Sequence, residues 1–124
     1  MERIFFVLGA VLALLSVAIG AFGAHALEPR LDAKALNSFH TAARYQMYHA
    51  MALIFTAWAA TRFPSGVVKV AGISFCVGIA LFCGSLYALA LGSPRAFGAV
   101  APIGGLSFMI GWGCLAAAAF FART

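Results

Sequence analysis

Acidic residues are nearly absent. Glu2, Glu28 and Asp32 are the only three in 124 residues, and with eight Lys and Arg the charged fraction reaches 9%, against roughly 25% in an ordinary soluble domain. A chain that is 65% hydrophobic and so poor in charge cannot shield its apolar surface from water, which excludes a soluble globular fold. Polar stretches long enough for a separate soluble domain are missing too. A bilayer core about 30 Å thick takes about 20 apolar residues per helix, so this length holds four spans with short loops.

Cysteine is scarce, and Cys76, Cys83 and Cys114 all fall inside apolar runs without metal-site spacing. On one helix Cys76 and Cys83 are about 10 Å apart, too far for a disulfide, so all three are expected to be small packing residues. The net charge is +5, but the basic residues stand singly at the ends of apolar runs. No basic cluster exists to bind nucleic acid, and the placement suits anionic lipid headgroups.

Chemical motifs are lacking as well. There is no HExxH, nucleophile elbow or phosphate-binding glycine loop, so the chain is expected to be no enzyme, with no catalytic residues and no cofactor. His40 and His49 on one helix point in roughly opposite directions, about 13 Å apart, and cannot share an ion. His25 with Glu28 or Asp32 supplies only part of a ligand set, so no metal site is expected.

Four apolar runs are present: Ile4 to Ala24, Tyr45 to Ala60, Val67 to Leu91 and Phe97 to Ala122. A helical pattern precedes the second run, with Asp32 as its N-cap. It predicts a helix from Ala33 to about Arg62, roughly 45 Å long and longer than the bilayer core. Pro64 ends this helix with Ser65 and Gly66, and Gly92, Ser93 and Pro94 end the third run. Pro102 suits the first turn of the last helix, leaving Phe97 to Ala101 as an interfacial or shallow re-entrant stretch. The expected fold is an all-α membrane protein: one domain, 1–124, forming a four-helix transmembrane bundle of two helical hairpins. Its spans cover about 4–24, 45–62, 67–91 and 98–122, and the second helix extends beyond the bilayer through an interfacial segment at about 33–44. The loops ALEPRL and ALGSPRA echo each other, as in two hairpins related by an axis along the membrane normal.

Arg3, Arg62, Lys69 and Arg123 lie on one side of such a bundle, and Arg30, Lys34, Arg44 and Arg95 on the other. Placing Arg44 inside the helix tips the balance toward cytoplasmic termini. Small residues recur at four-residue steps: Ser16, Gly20 and Ala24; Gly72, Cys76, Ala80, Gly84, Ala88 and Gly92; Cys114, Ala118 and Ala122. Helices in lipid associate through such close-approach faces, so packing is expected at Gly20, Ala24, Gly72, Ala80, Gly84, Ala88 and Gly111.

Polar residues gather at one place, from His25, Glu28, Arg30 and Asp32 through Asn37, His40, Arg44, Tyr45, Gln46 and Tyr48 to His49. Arg44 can snorkel to headgroups, and Tyr45 and Tyr48 suit an interfacial belt. His49 lies a turn or more inside the run and must find a partner. Ala24, His25 and Ala26 imitate a signal-peptidase site, but the preceding run is long enough to span, so GAFGAHAL is expected to be a retained helix end.

The segments GAFGAHAL, YQMYHAMAL, GSLYALAL and APIGGLSFMIGWGCLA, in this order and spacing, resemble the small four-helix membrane proteins of the domain of unknown function 423 family. Transmembrane protein 256 of animals looks like a relative. The motif residues are Gly20, Gly23, His25, Tyr45, Gln46, His49, Gly84, Ser85, Tyr87, Pro102, Gly104, Gly105, Gly111 and Trp112. The resemblance implies a four-span protein of bacterial inner membranes and carries no reaction or ligand to transfer.

If the four segments face one leaflet, they are expected to converge on a polar pocket of His25, Arg44, Tyr45, Gln46, His49, Ser85 and Tyr87. The leading functional expectation is a non-enzymatic accessory or interaction subunit. Its partners would be membrane lipids and a second copy or a larger membrane complex, with no nucleic acid. The alternative is binding or transport of a lipid, quinone or small solute through the pocket at His25, Arg44 and His49.

Overall fold

A computed structural model describes residues 2–123, except for the side chain of Ala24. Every regular element among them is helical. Helix α1, Glu2–Phe22, runs into a π turn, Gly23–Leu27; α2 is Ala33–Arg62; α3, Gly66–Gly78, continues through a π turn, Ile79–Cys83, into α4, Gly84–Ala90. A 3₁₀ turn, Arg95–Ala99, leads into α5, Ala101–Phe120.

The helix ends follow local chemistry. Asp32 caps α2: its backbone is extended and its Oδ1 accepts the Ala35 N–H at 2.7 Å, satisfying a donor that the first turn leaves open. Asp32→Ala is expected to cost about 1 kcal/mol, read as a lower melting temperature by circular dichroism. Gly92, at φ 101, closes α4. Its N–H reaches the Leu89 carbonyl at 3.2 Å while the Ser93 N–H reaches the Ala88 carbonyl at 3.0 Å, the paired bonds of a Schellman end. Pro102 sits in the first turn of α5, and Phe97 lies in the 3₁₀ turn before it.

Three stretches, Glu2–Leu27, Gly66–Ala90 and Arg95–Phe120, are long and apolar enough to cross a membrane. Helix α2 is 30 residues long but is not among them, because polar side chains interrupt its apolar run. Those side chains turn inward: Gln46, His49 and Thr56 are all buried. Helix α2 touches every other α-helix, α1 packs along it, and α3 and α5 pack on each other. The most polar helix is therefore the centre of the bundle, and its hydrophobic neighbours face outward.

Packing is built on rings and glycines. Phe5 of α1 covers Gly72, Phe75 of α3 covers Gly111, and Phe108 of α5 covers Gly78. A side chain on any of these glycines would meet the ring. At two other places the backbones themselves approach. A Cβ on Gly9 would lie 2.6 Å from the Ala50 carbonyl oxygen, and one on Gly104 would press on the backbone of Phe82.

The four-residue stripe expected on the third span does not stay on one face. Gly72 is buried, but Ala80 and Gly84 are exposed, and Ala88 is half-buried; an added Cβ on Gly84, or on Gly20 of α1, would meet nothing within 4 Å. The reason is angular offset: each stripe position follows a residue of the buried line by one place, about 100° around the helix. The inner line runs instead through Phe75, Ile79 and Cys83, where the wider π turn keeps four-residue steps on the core side. Gly111 is buried under Phe75 as a packing residue; the side chain of Ala24 lies outside the described residues.

Candidate functional site

Buried polar groups between helices need partners within the protein, and α2 supplies two such centres one turn apart. In the first, Gln46 is 4% exposed and joins three helices. Its Nε2 donates to the Leu12 carbonyl of α1 at 2.9 Å, and its Oε1 accepts the Tyr87 hydroxyl of α4 at 2.8 Å. The same Leu12 carbonyl also accepts the Ser16 hydroxyl at 3.0 Å, which brings that turn of α1 into the polar centre.

In the second, His49 is 5% exposed. Nδ1 lies 2.8 Å from the Tyr45 carbonyl, and Trp112 Nε1 of α5 lies 3.2 Å from Nε2. A carbonyl only accepts and an indole N–H only donates. These partners require a neutral imidazole with its proton on Nδ1 and its Nε2 lone pair taken by Trp112. The ring lies on Phe108, with centroids 3.5 Å apart and planes 8° from parallel. Phe75 meets the imidazole at 5.8 Å and Trp112 at 5.1 Å, so one aromatic cluster ties α2, α3 and α5 together.

Hydroxyls of half-buried Ser107 and buried Thr56 are used within the bundle. Ser107 Oγ of α5 donates to the Ser74 carbonyl of α3 at 2.7 Å, and Thr56 Oγ1 donates to the Ala52 carbonyl at 2.7 Å. Among the described residues no buried side-chain nitrogen or oxygen lacks a partner, and no cluster of three or more His, Cys, Asp or Glu could hold a metal ion.

The pocket of seven residues expected from the sequence is thus divided. Gln46 meets Tyr87 directly, and His49 forms its own centre. Ser85 is buried, but its hydroxyl donates to the Phe82 carbonyl of its own chain segment at 3.0 Å. Tyr45 is exposed with its ring against Phe82, centroids 4.8 Å apart. His25 is exposed and takes no part. Arg44 is also exposed, donates to Thr41 Oγ1 at 3.3 Å, and lines a separate shallow groove of about 330 Å³ with Ser16, Gly20 and His40. Five residues separate Arg44 from His49, which turns their directions about 140° apart on a helix, so they cannot share a pocket.

Sequence reasoning missed Phe75, Phe82 and Phe108 as neighbours of His49 and did not assign Trp112 to the site. The motif APIGGLSFMIGWGCLA contains both Phe108 and Trp112, one helical turn apart, and that spacing was the available signal. Beside His49, Tyr45, Tyr48, Phe82, Phe108, Met109 and Trp112 border a groove of about 440 Å³.

Residues 19–105 match the family model described as "Protein of unknown function (DUF423)". The chain belongs to this family. It is 44% identical over 111 residues to UPF0382 membrane protein YwdK of Bacillus subtilis, covering 89% of this chain and 90% of that protein. It is 42% identical over 108 residues to a UPF0382 membrane protein of Haemophilus influenzae, covering 87% and 86%. It is 36% identical over 111 residues to UPF0382 inner membrane protein YgdD of Escherichia coli, covering 90% and 85%. No solved structure matches the chain. The DUF423 match takes in Gln46, His49, Phe75, Tyr87 and Gly104. Leu12, Phe108 and Trp112 lie outside it and complete both polar centres from the two ends of the chain. In this DUF423 membrane protein the buried polar groups therefore fasten the first and last helices to α2.

Proposed function

We propose that this membrane protein crosses the bacterial inner membrane four times, as two helical hairpins with both termini in the cytoplasm, and acts there as a non-enzymatic accessory or interaction subunit. The observation that carries this reading is the division of its surface. Gln46 and His49, the buried polar side chains of α2 that reach other helices, are spent there, while the outer faces of α1 and α5 expose Ile4, Leu14, Val17, Ile103, Leu106 and Met109. A polar helix buried by three apolar ones crosses lipid without presenting its polar groups to it. Arg44 lying within α2 rather than in the loop supports the cytoplasmic assignment of the termini.

Two measurements test this. Single cysteines at Ser65 and Ser93, in a background lacking the three native cysteines, should be labelled by an impermeant maleimide from opposite sides, Ser93 from the periplasm. Labelling of both from one side would remove the crossing by Gly66–Ala90, and labelling of Ser65 from the periplasm, the result for a chain whose α2 does not cross, would overturn the proposed topology. Mild extraction from native membranes should recover the chain with a larger assembly; recovery only as a lone monomer would count against the subunit role.

A second reading is favoured by the aromatic groove beside His49, which suits a lipid chain or quinone ring. Only His49 of the expected pocket residues His25, Arg44 and His49 borders that groove. Met109→Trp should fill it, removing any co-purifying apolar ligand while leaving the helical fold intact.

A further inference from the structure

A second polar place lies away from the helix-fastening centres. Lys34, in the first turn of α2, and Arg95, which opens the 3₁₀ turn, line one groove of about 450 Å³ with Ser38, Ser93, Leu89 and Asp32. Asp32 offsets one of the two positive charges and leaves the lining with an excess of one. Its Oδ1 accepts the Ala35 N–H, and neither cation has an ion-pair partner among the described residues.

The local field adds to this excess, although the Asp32 carboxylate at the N-cap compensates part of it. The first turn of a helix carries partial positive charge, so Lys34 stands at the end where cations are disfavoured. The carbonyls that end α4 are already taken by the N–H groups of Leu91, Gly92 and Ser93, so they offer Arg95 little compensation. The basic groove at the opposite end of the bundle differs. There Arg62 lies in the last turn of α2 and over the Phe63 ring, and Arg123 follows the end of α5. Cations at helix carboxyl ends are favoured, and no further anion is called for.

We propose that the groove between α2 and the α4–α5 connection holds the phosphate group of an anionic phospholipid. Arg95 and Lys34 pair with the phosphate oxygens, the guanidinium as a planar fork and the ammonium as a compact charge. Ser38 and Ser93 hydroxyls can donate further hydrogen bonds. The lipid rather than a free ion is the occupant because Leu91 and Phe97 are exposed on the segments that frame the groove. Both lie within two residues in sequence of groove-lining residues, and the acyl chains of a bound lipid would lie against them. Basic pockets between membrane helices take such headgroups on the cytoplasmic side, and in the topology proposed above this one would take its lipid from the periplasmic leaflet.

Native mass spectrometry of the full chain in detergent, titrated with phosphatidylglycerol or phosphatidylcholine, tests the site. Wild type should retain one phosphatidylglycerol in preference to phosphatidylcholine. K34Q and R95Q should each weaken it about fivefold, and the double variant roughly thirtyfold, as expected for loss of one surface cation at a time. The charge-preserving pair K34R and R95K should retain the lipid, and R62Q with R123Q should bind as wild type. The single variants carry the test if the double variant does not fold. Unchanged binding by K34Q and R95Q, or equal loss in R62Q with R123Q, would overturn the site. Inorganic phosphate competing as well as phosphatidylglycerol at equal concentration would overturn the lipid assignment and leave a free-anion site.

Discussion

Gly104→Ala is expected to destabilise the folded chain by about 3 kcal/mol, at the upper end of what overpacking costs. The new Cβ would lie 2.7 Å from the Phe82 Cβ and nearer still to the Phe82 backbone nitrogen. A flexible side chain could rotate away from such a contact, whereas a helix backbone must move as a whole. Parting α5 from the π turn at Ile79–Cys83 would also loosen the Phe108 stack on His49, because Phe108 follows Gly104 by one turn. Unfolding in a sodium dodecyl sulfate titration, followed by the fluorescence of Trp112 in a Trp58→Phe background, measures the loss. Gly84→Ala and Gly113→Ala are the controls: neither added methyl has a neighbour within 4 Å, so each should stay within about 0.5 kcal/mol of wild type. A loss at Gly84 equal to that at Gly104 would show that the four-residue stripe, not the observed helix contact, sets the packing.

His49→Ala is expected to cost about as much, roughly 3 kcal/mol, from the cavity left where the ring lay. It also leaves the Trp112 N–H without its acceptor. His49→Phe restores the ring and should recover most of that loss, leaving a deficit of about 1 kcal/mol for the missing hydrogen bond between helices. A double-mutant cycle between His49→Phe and Trp112→Phe should give a coupling of about 0.6 kcal/mol and no more than about 1.7, the average and the maximum for such hydrogen bonds between membrane helices. The same variants separate the two functional readings. If His49→Phe kept full stability yet lost a co-purifying lipid or quinone, His49 would be a binding residue and the aromatic groove its site.

The helix limits were legible because their causes are local. Asp32 caps with its own side chain, Pro64 and Pro102 obey a steric rule within one turn, and Gly92 takes a left-handed conformation at the end of its helix. Shared helix faces were legible only in part. Gly72 and Gly111 are covered by rings, but Gly84, on the same stripe as Gly72, is open, because that stripe stands about 100° from the buried line of Phe75, Ile79 and Cys83. The polar centres were half visible: Gln46, His49 and Tyr87 stood out as polar groups in apolar surroundings. Their partners did not, since a backbone carbonyl such as that of Leu12 leaves no mark in the sequence.

The chain by itself thus determined a membrane environment, the places where helices begin and end, and membership of a family through motifs spread along its length. These depend on composition and on interactions within a few residues. Tertiary structure decided which side of each helix faces its neighbours. It divided the expected pocket, excluding His25 and turning Arg44 away from His49, and brought Lys34 and Arg95 to one groove across the distance between two loops. Such pairings arise from how helices rotate and cross, and a one-dimensional pattern carries neither angle.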